Sequence, residues 1–235
     1  MSQFRFKRFK IRQDLTAMKV GTDGVLLGAW ANAGGRKILD IGSGTGLIGL
    51  MMAQRFSLAE IDAIDIDEHA YEQTCYNFIH SPFGERLQCF HAGLSEWINF
   101  SNKRYDHLIC NPPYFYKGFE VKDLKRKKAR DAGFLPQELL VSAFLKLGVE
   151  TALMSVIMPV EEGEKFIALA TQSGIYCSRK TIVFSKASKP PIRVILEFKK
   201  VFADTLEAEL IIENEGQHQY TEAYKQLTAD FYLMF

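Results

Sequence analysis

From residue 37 onward the chain alternates short apolar runs with stretches of helical spacing, a pattern that predicts a mostly parallel sheet with helices on both faces. Residues 37–41 read as a buried strand ending at a glycine cluster, and 47–56, apolar nearly all round, as the buried helix after it. A second strand is expected at 60–66, followed by a helix at 68–80 that Ser81-Pro82 closes. Strands at 87–92 and 105–110 come next. Beyond 112–135, a helix at 136–147 starts on a proline, a fifth strand at 153–158 stops at Pro159, and 161–172 is helical again. Residues 175–200 hold two β-rich stretches split at 186–191, and 206–212 is one more strand candidate. A terminal helix at 220–231 would bury Tyr224, Leu227 and Phe231. Ahead of all this, Phe4, Phe6, Phe9 and Ile11 among basic residues suggest an extended or hairpin segment.

No repeat, low-complexity tract or linker interrupts the pattern, and 235 residues suit one well-buried α/β domain. The division expected is a short N-terminal extension, 1–35, and a main domain, 36–235. No apolar run nears the ~20 residues that span a membrane, and the first residues lack the pattern of a signal peptide. A cytoplasmic protein with no membrane partner is expected. Cys75, Cys89, Cys110 and Cys177 are widely spaced in apolar segments, so reduced core cysteines are expected, with no disulfide. The five histidines show no metal-ligand spacing, no metal is expected, and Trp30 and Trp97 read as packing residues. The net charge of +1 conceals local surpluses of +5 in 1–19, +5 in 117–130 and +6 in 176–200. Such runs are usually solvated faces, and otherwise a surface for a polyanion.

Asp40-Ile41-Gly42-Ser43-Gly44-Thr45-Gly46 lies between the first strand and its helix. The glycines let the backbone turn tightly and approach a ligand. Their G-x-G-x-G spacing is not the G-x-G-x-x-G of dinucleotide loops. A carboxylate at Asp40, expected to face the ligand, would repel a pyrophosphate and attract a cationic, methionine-like moiety. Asp65, ending the second strand about twenty residues on, is placed for ribose hydroxyls. Asp67 reads as a helix cap.

Asn111-Pro112-Pro113-Tyr114 follows the fourth strand. Two prolines stop the strand and stiffen the tetrapeptide at the sheet's C-terminal edge. The Asn111 amide and a backbone carbonyl are two acceptors for an NH2 group, and the Tyr114 ring can stack on a planar one. An enzyme acting on an amino nitrogen is expected.

Together, D-x-G-x-G-x-G and N-P-P-Y resemble the class I, Rossmann-like methyltransferases, with a seven-stranded sheet, that use S-adenosylmethionine to methylate amino or amide nitrogens. Residues 18–30 and the ending 220–235 narrow the likeness to the bacterial tRNA1(Val) adenine-N6 methyltransferases, over essentially the whole chain. That resemblance implies S-adenosylmethionine on Asp40, Gly42, Gly44, Gly46, Asp65 and Asn111, with the 1–35 extension covering the site and Thr22 and Asp23 over the methionine end. It implies Asn111 and Pro112 accepting from the target N6, Pro113 in the same turn, and Tyr114 on the extruded adenine. Many relatives carry an acidic residue after the third strand for the cofactor adenine. Here Ala92-Gly93-Leu94 stands there, leaving backbone groups or apolar walls around Gly93.

With tRNA as partner, Lys125, Arg126, Lys127, Lys128 and Arg130 would meet phosphates beside the catalytic mouth. No obligate protein partner is evident. A protein-glutamine N5-methyltransferase shares both motifs but usually has a larger helical N-terminal domain. A DNA adenine-N6 methyltransferase commonly adds a target-recognition domain. A binding protein with a dead site and an NAD-dependent dehydrogenase fit less well.

Overall fold

Two antiparallel strands, β1 (Gln3–Arg5) and β2 (Lys10–Arg12), form the expected N-terminal hairpin. The computed structural model describes residues 3–16, 18–32, 35–113, 135–216 and 218–235. After helix α1 (Thr22–Trp30), strands and helices alternate: β3 (Lys37–Ile41), α2 (Leu47–Arg55), β4 (Glu60–Asp65), α3 (Glu68–Ile79), β5 (Leu87–His91), α4 (Leu94–Phe100) and β6 (Tyr105–Cys110). Then come α5 (Gln137–Leu147), β7 (Gly148–Met158), α6 (Val160–Gln172), β8 (Tyr176–Lys186), β9 (Pro191–Lys199), β10 (Leu206–Glu213) and α7 (Glu222–Thr228).

The main sheet runs β10-β8-β9-β7-β6-β3-β4-β5, with β9 alone antiparallel to its neighbours. Among the described residues it has eight strands, not seven, because the segment ending at Glu213 completes a parallel pair with β8. Right-handed crossovers sort the helices between the faces. One face buries Ile38, Ile109 and Ile157 against α1, α2 and α7, and the other buries Leu39, Leu108 and Val156 against α4, α5 and α6. Alternate residues of one strand thus serve two cores, so the central strands β3, β6 and β7 are mostly apolar, with Asp40, His107 and Ser155 as buried polar exceptions.

Helix α1 was not expected. Its segment is apolar on every side, with Val25, Leu26 and Leu27 fully buried, so no amphipathic period marks it. Gly28 lets it approach α2, since a Cβ there would lie 2.8 Å from Met51 Sδ. The reduced-cysteine expectation needs correction. Cys75 on α3 and Cys89 on β5 form a disulfide, their Cα atoms 5.7 Å apart. The crossover lays α3 along β5, a neighbourhood that sequence spacing does not reveal. Cys110 and Cys177 are free and buried, as expected. The terminal helix is shorter than expected, although Tyr224 and Phe231 are buried. No helix among the described residues is long and apolar enough to cross a membrane.

Candidate active site

From β3 the chain moves to β4 and β5 on one side, then returns through β6 on the other. The C-terminal ends of β3 and β6 therefore flank a switch point, the crevice where open α/β sheets take ligands. Ile41 and Cys110 are register partners, so Gly42 and Asn111 leave the sheet side by side.

Gly42, Gly44 and Gly46 adopt φ of +69°, +58° and +75°, a region that penalises a Cβ. The loop is tied down from below. Gly42 N and Ser43 N donate to Ile64 O at 2.9 and 3.1 Å, and Gly44 N donates to Asp65 Oδ2 at 2.8 Å. Its outer side is open, since a Cβ built on Gly42 or Gly44 meets no atom within 4 Å. That cradle, with Asp65 bonded to its backbone and Asp40 buried beneath it, fits a ligand with cationic and hydroxyl groups, as S-adenosylmethionine has.

Asp65 Oδ1 accepts from Asp67 N at 3.0 Å, and Asp67 in turn caps α3 by accepting from Ala70 N at 2.8 Å. Burial pushes the Asp65 carboxyl up, against the hydrogen bonds from Asp67 and Gly44. Each oxygen keeps acceptor capacity for a hydroxyl donor.

Asp40 lies deeper than a residue simply facing a ligand. It is fully buried under the loop, with Oδ2 accepting from Gly49 N in the first turn of α2 at 3.0 Å. Its other oxygen has no partner among the described residues. Burial pushes its carboxyl up to about 7, aided by the nearby Asp65.

Helix α3 contributes residues that the sequence pattern did not single out. Gln73, Thr74 and Asn77 are all buried. Thr74 Oγ1 donates to Gly44 O at 3.0 Å. Asn77 Nδ2 donates to Thr45 O at 2.8 Å and Arg12 O at 2.9 Å, while its Oδ1 accepts from Arg12 N at 2.9 Å. Gln73 Oε1 accepts from Asp14 N and Leu15 N at 3.1 and 3.0 Å. The helix thereby clasps strand β2 to the glycine loop. Asn77→Ala strands three backbone groups, at a cost of about 2–4 kcal/mol. The expected fall in melting temperature is roughly 4–16 °C for a chain of this size. A fall under about 2 °C by thermal denaturation would refute the clasp.

At the same edge, Asp23 in the first turn of α1 accepts from Arg193 Nε at 2.7 Å. Arg193 precedes Val194, the register partner of Met158 at the end of β7. Thr22 opens the same helix. Arg193 was missed because it lies far along the sequence, in a run that reads as strand. Gly93 stands just before α4, where an added Cβ would meet Ile66 Cδ1 at 3.2 Å. The wall there is an apolar side chain and main chain.

Asn111 and Pro113 are half-buried and Pro112 is buried. The Asn111 carboxamide makes no hydrogen bond among the described residues and so stands uncommitted beside the loop. Tyr114, Lys125, Arg126, Lys127, Lys128 and Arg130 lie outside the described residues. Among those described, no His, Cys, Asp and Glu cluster could hold a metal.

The fold with its open glycine cradle and adjacent amide is that of a methyltransferase by sequence as well, since the family model "Methyltransferase small domain" matches residues 18–161. A Flavobacterium psychrophilum protein named tRNA1(Val) (adenine(37)-N6)-methyltransferase is 44% identical over 232 residues, 98% of this chain and 99% of that one. The chain belongs to the tRNA1(Val) (adenine(37)-N6)-methyltransferase family. Among solved structures, a predicted O-methyltransferase from Agrobacterium tumefaciens aligns with TM-score 0.70 at 20% identity, covering 89% of this chain and 96% of that one. M. jannaschii TYW2 in complex with AdoMet aligns with TM-score 0.57 at 12% identity, covering 85% and 86%. These two likenesses establish the fold.

Proposed function

We propose that the chain transfers a methyl group from S-adenosylmethionine to N6 of an adenine in tRNA, adenosine 37 of tRNA1(Val) being the target for which its relatives are named. The observation that carries this reading is the uncommitted Asn111 carboxamide beside an open glycine loop, in a chain of that family. The setting is the cytoplasm.

S-adenosylmethionine, when bound, supplies an electrophilic methyl group on a sulfonium. Gly42, Gly44 and Gly46 offer backbone at close range, Asp65 accepts from ribose hydroxyls, and Thr22 and Asp23, within the covering extension 1–35, close the methionine end. Around Gly93 the cofactor adenine meets main chain and the Ile66 side chain. Asp40 sets the charge beneath the loop.

The N6 lone pair of adenine is delocalised into the ring and is a weak nucleophile. Asn111 Oδ1 and the Pro112 carbonyl, each accepting one N6 proton, favour a more tetrahedral nitrogen and aim its lone pair. Positioning of this kind supplies on the order of 7–11 kcal/mol. After transfer the nitrogen is cationic and releases its proton readily, so no strong base is needed. Flipping the base costs a few kcal/mol, less in a single-stranded loop. Stacking on Tyr114 returns roughly 1–3 kcal/mol. Lys125, Arg126, Lys127, Lys128 and Arg130 hold flanking phosphates.

Labelled S-adenosylmethionine, total tRNA and nucleoside mass analysis test the reading. N6-methyladenosine in a valine isoacceptor is the expected product. Label in protein and not in RNA would move the assignment to a glutamine side chain, and label in DNA alone to a DNA adenine.

A further inference from the structure

We propose that the tip of the N-terminal hairpin is a docking site for RNA backbone phosphates, separate from the catalytic mouth; this rests on the RNA reading above. The turn between β1 and β2 borders a concavity of about 220 Å³ lined by Arg5, Lys7, Arg8 and Lys10, together with Phe6, Phe9 and Leu233. No carboxylate among the described residues lines it. Arg5, Arg8 and Lys10 are exposed and make no ion pair among the described residues. Backbone phosphate is the natural ligand for converging guanidinium and ammonium groups.

The tip is rigid. Phe6 and Phe9 are each 4% exposed and turn inward, with Phe6 stacked on Tyr232 at 5.9 Å. Lys7 Nζ donates to Ala229 O and to the main-chain oxygen of Phe235, both at 2.6 Å. The Arg8 guanidinium lies 5.6 Å from the Phe83 ring centre. Fixed cations lose less freedom on binding than loose ones.

Comparison with the run at 176–200 makes the hairpin distinctive. There Arg179 pairs with Glu197 at 3.2 Å, Lys180 with Glu164 at 2.8 Å and Arg193 with Asp23 at 2.7 Å. Lys186 and Lys200 donate to backbone carbonyls. That surplus is largely consumed inside the molecule, whereas Arg5, Arg8 and Lys10 of the hairpin are presented to solvent. The hairpin is also connected to the chemistry, because β2 is bonded through Asn77 to the glycine loop. Only strand β2, Lys10–Arg12, separates the turn from that bond. A single structured RNA can reach both places, whereas an isolated nucleoside cannot.

The test is fluorescence anisotropy with labelled full-length tRNA across a salt series. It compares the parent chain with an Arg5→Gln, Arg8→Gln, Lys10→Gln variant and an Arg5→Lys, Arg8→Lys variant. The glutamine variant is expected to bind tRNA at least 10-fold more weakly, and its log–log salt slope to fall by about 2–3. Cofactor affinity should stay at the parent value, melting temperature should fall by no more than about 1–4 °C for the lost Arg8–Phe83 contact, and the lysine variant should retain tRNA binding. Unchanged tRNA affinity and slope in the glutamine variant would overturn the proposal. So would a loss confined to phosphatidylglycerol vesicles, which would assign the tip to a membrane surface. Failure of the two readings is distinguishable: a parent chain that binds tRNA through the hairpin but methylates no RNA overturns only the proposed reaction. Normal methylation with unchanged binding by the glutamine variant overturns only the hairpin.

Discussion

Asn111→Ala is expected to lower kcat by about 10²–10³-fold while leaving the dissociation constant of S-adenosylmethionine within about threefold of the parent. Asn111 leaves β6 level with the glycine loop, yet its amide bonds none of the loop's groups. Removing it therefore spares the cradle and deletes one of the two acceptors that aim the amino nitrogen. Losing one preorganised polar contact to the reacting group costs roughly 3–4 kcal/mol, equivalent to about 10²–10³ in rate. The deficit should lie in kcat, because an acceptor tuned to a tetrahedral nitrogen acts mostly in the transition state. Single-turnover kinetics with saturating cofactor measure it. A variant methylating at the parent rate would sink the mechanism.

The second large effect is a pH dependence centred on Asp40. An aspartyl carboxyl titrates near ~3.9 in an unfolded chain, and in the fold burial lifts this one to about 7. Between those values the folded protein holds a proton that the unfolded chain has released. The stability linked to that proton is fully present below about pH 4 and is lost as pH rises through about 7. Between pH 5 and 8 the group should cost the ligand-free protein about 2–3 kcal/mol. Asp40→Asn carries no such titration, so its stability relative to the parent should improve by that amount over the same interval in urea unfolding. Parallel pH profiles would contradict the assignment. Cofactor binding should show the complement, because a cation above the loop favours the ionised carboxylate. Affinity is then expected to rise several-fold from pH 6 to 8 in the parent and to stay flat in the Asn variant, as titration calorimetry would show.

Most of this architecture is legible in local pattern. Strands β3 and β6 end where glycine or proline interrupts an apolar run, and both site motifs sit at those ends. What escaped detection depends on surroundings. Helix α1 is buried on all sides and so carries no amphipathic signature. Gln73, Thr74 and Asn77 resemble the polar face of a surface helix until the hairpin covers them. Cys75 and Cys89 meet because a crossover places α3 on β5. Asp40 illustrates a finer gap: its type and position are visible in the sequence, but its burial beneath the loop, and therefore its proton, comes from packing.

Lys7 N donates to Phe231 O at 2.8 Å, and Phe6 stacks on Tyr232. This ties the two ends of the chain and has a consequence in time. A ribosome adding about 5–20 residues per second takes roughly 10–45 s to travel from the hairpin to the segment that seats it. Throughout that interval β1 and β2 have no C-terminal bed, and the clasp through Asn77 has to hold a strand otherwise loose. A growing chain can build its central strands early, but the hairpin that Asn77 joins to the glycine loop is seated only once residues 229–235 have been made. Copies clipped before Phe231 should therefore hold that hairpin less firmly.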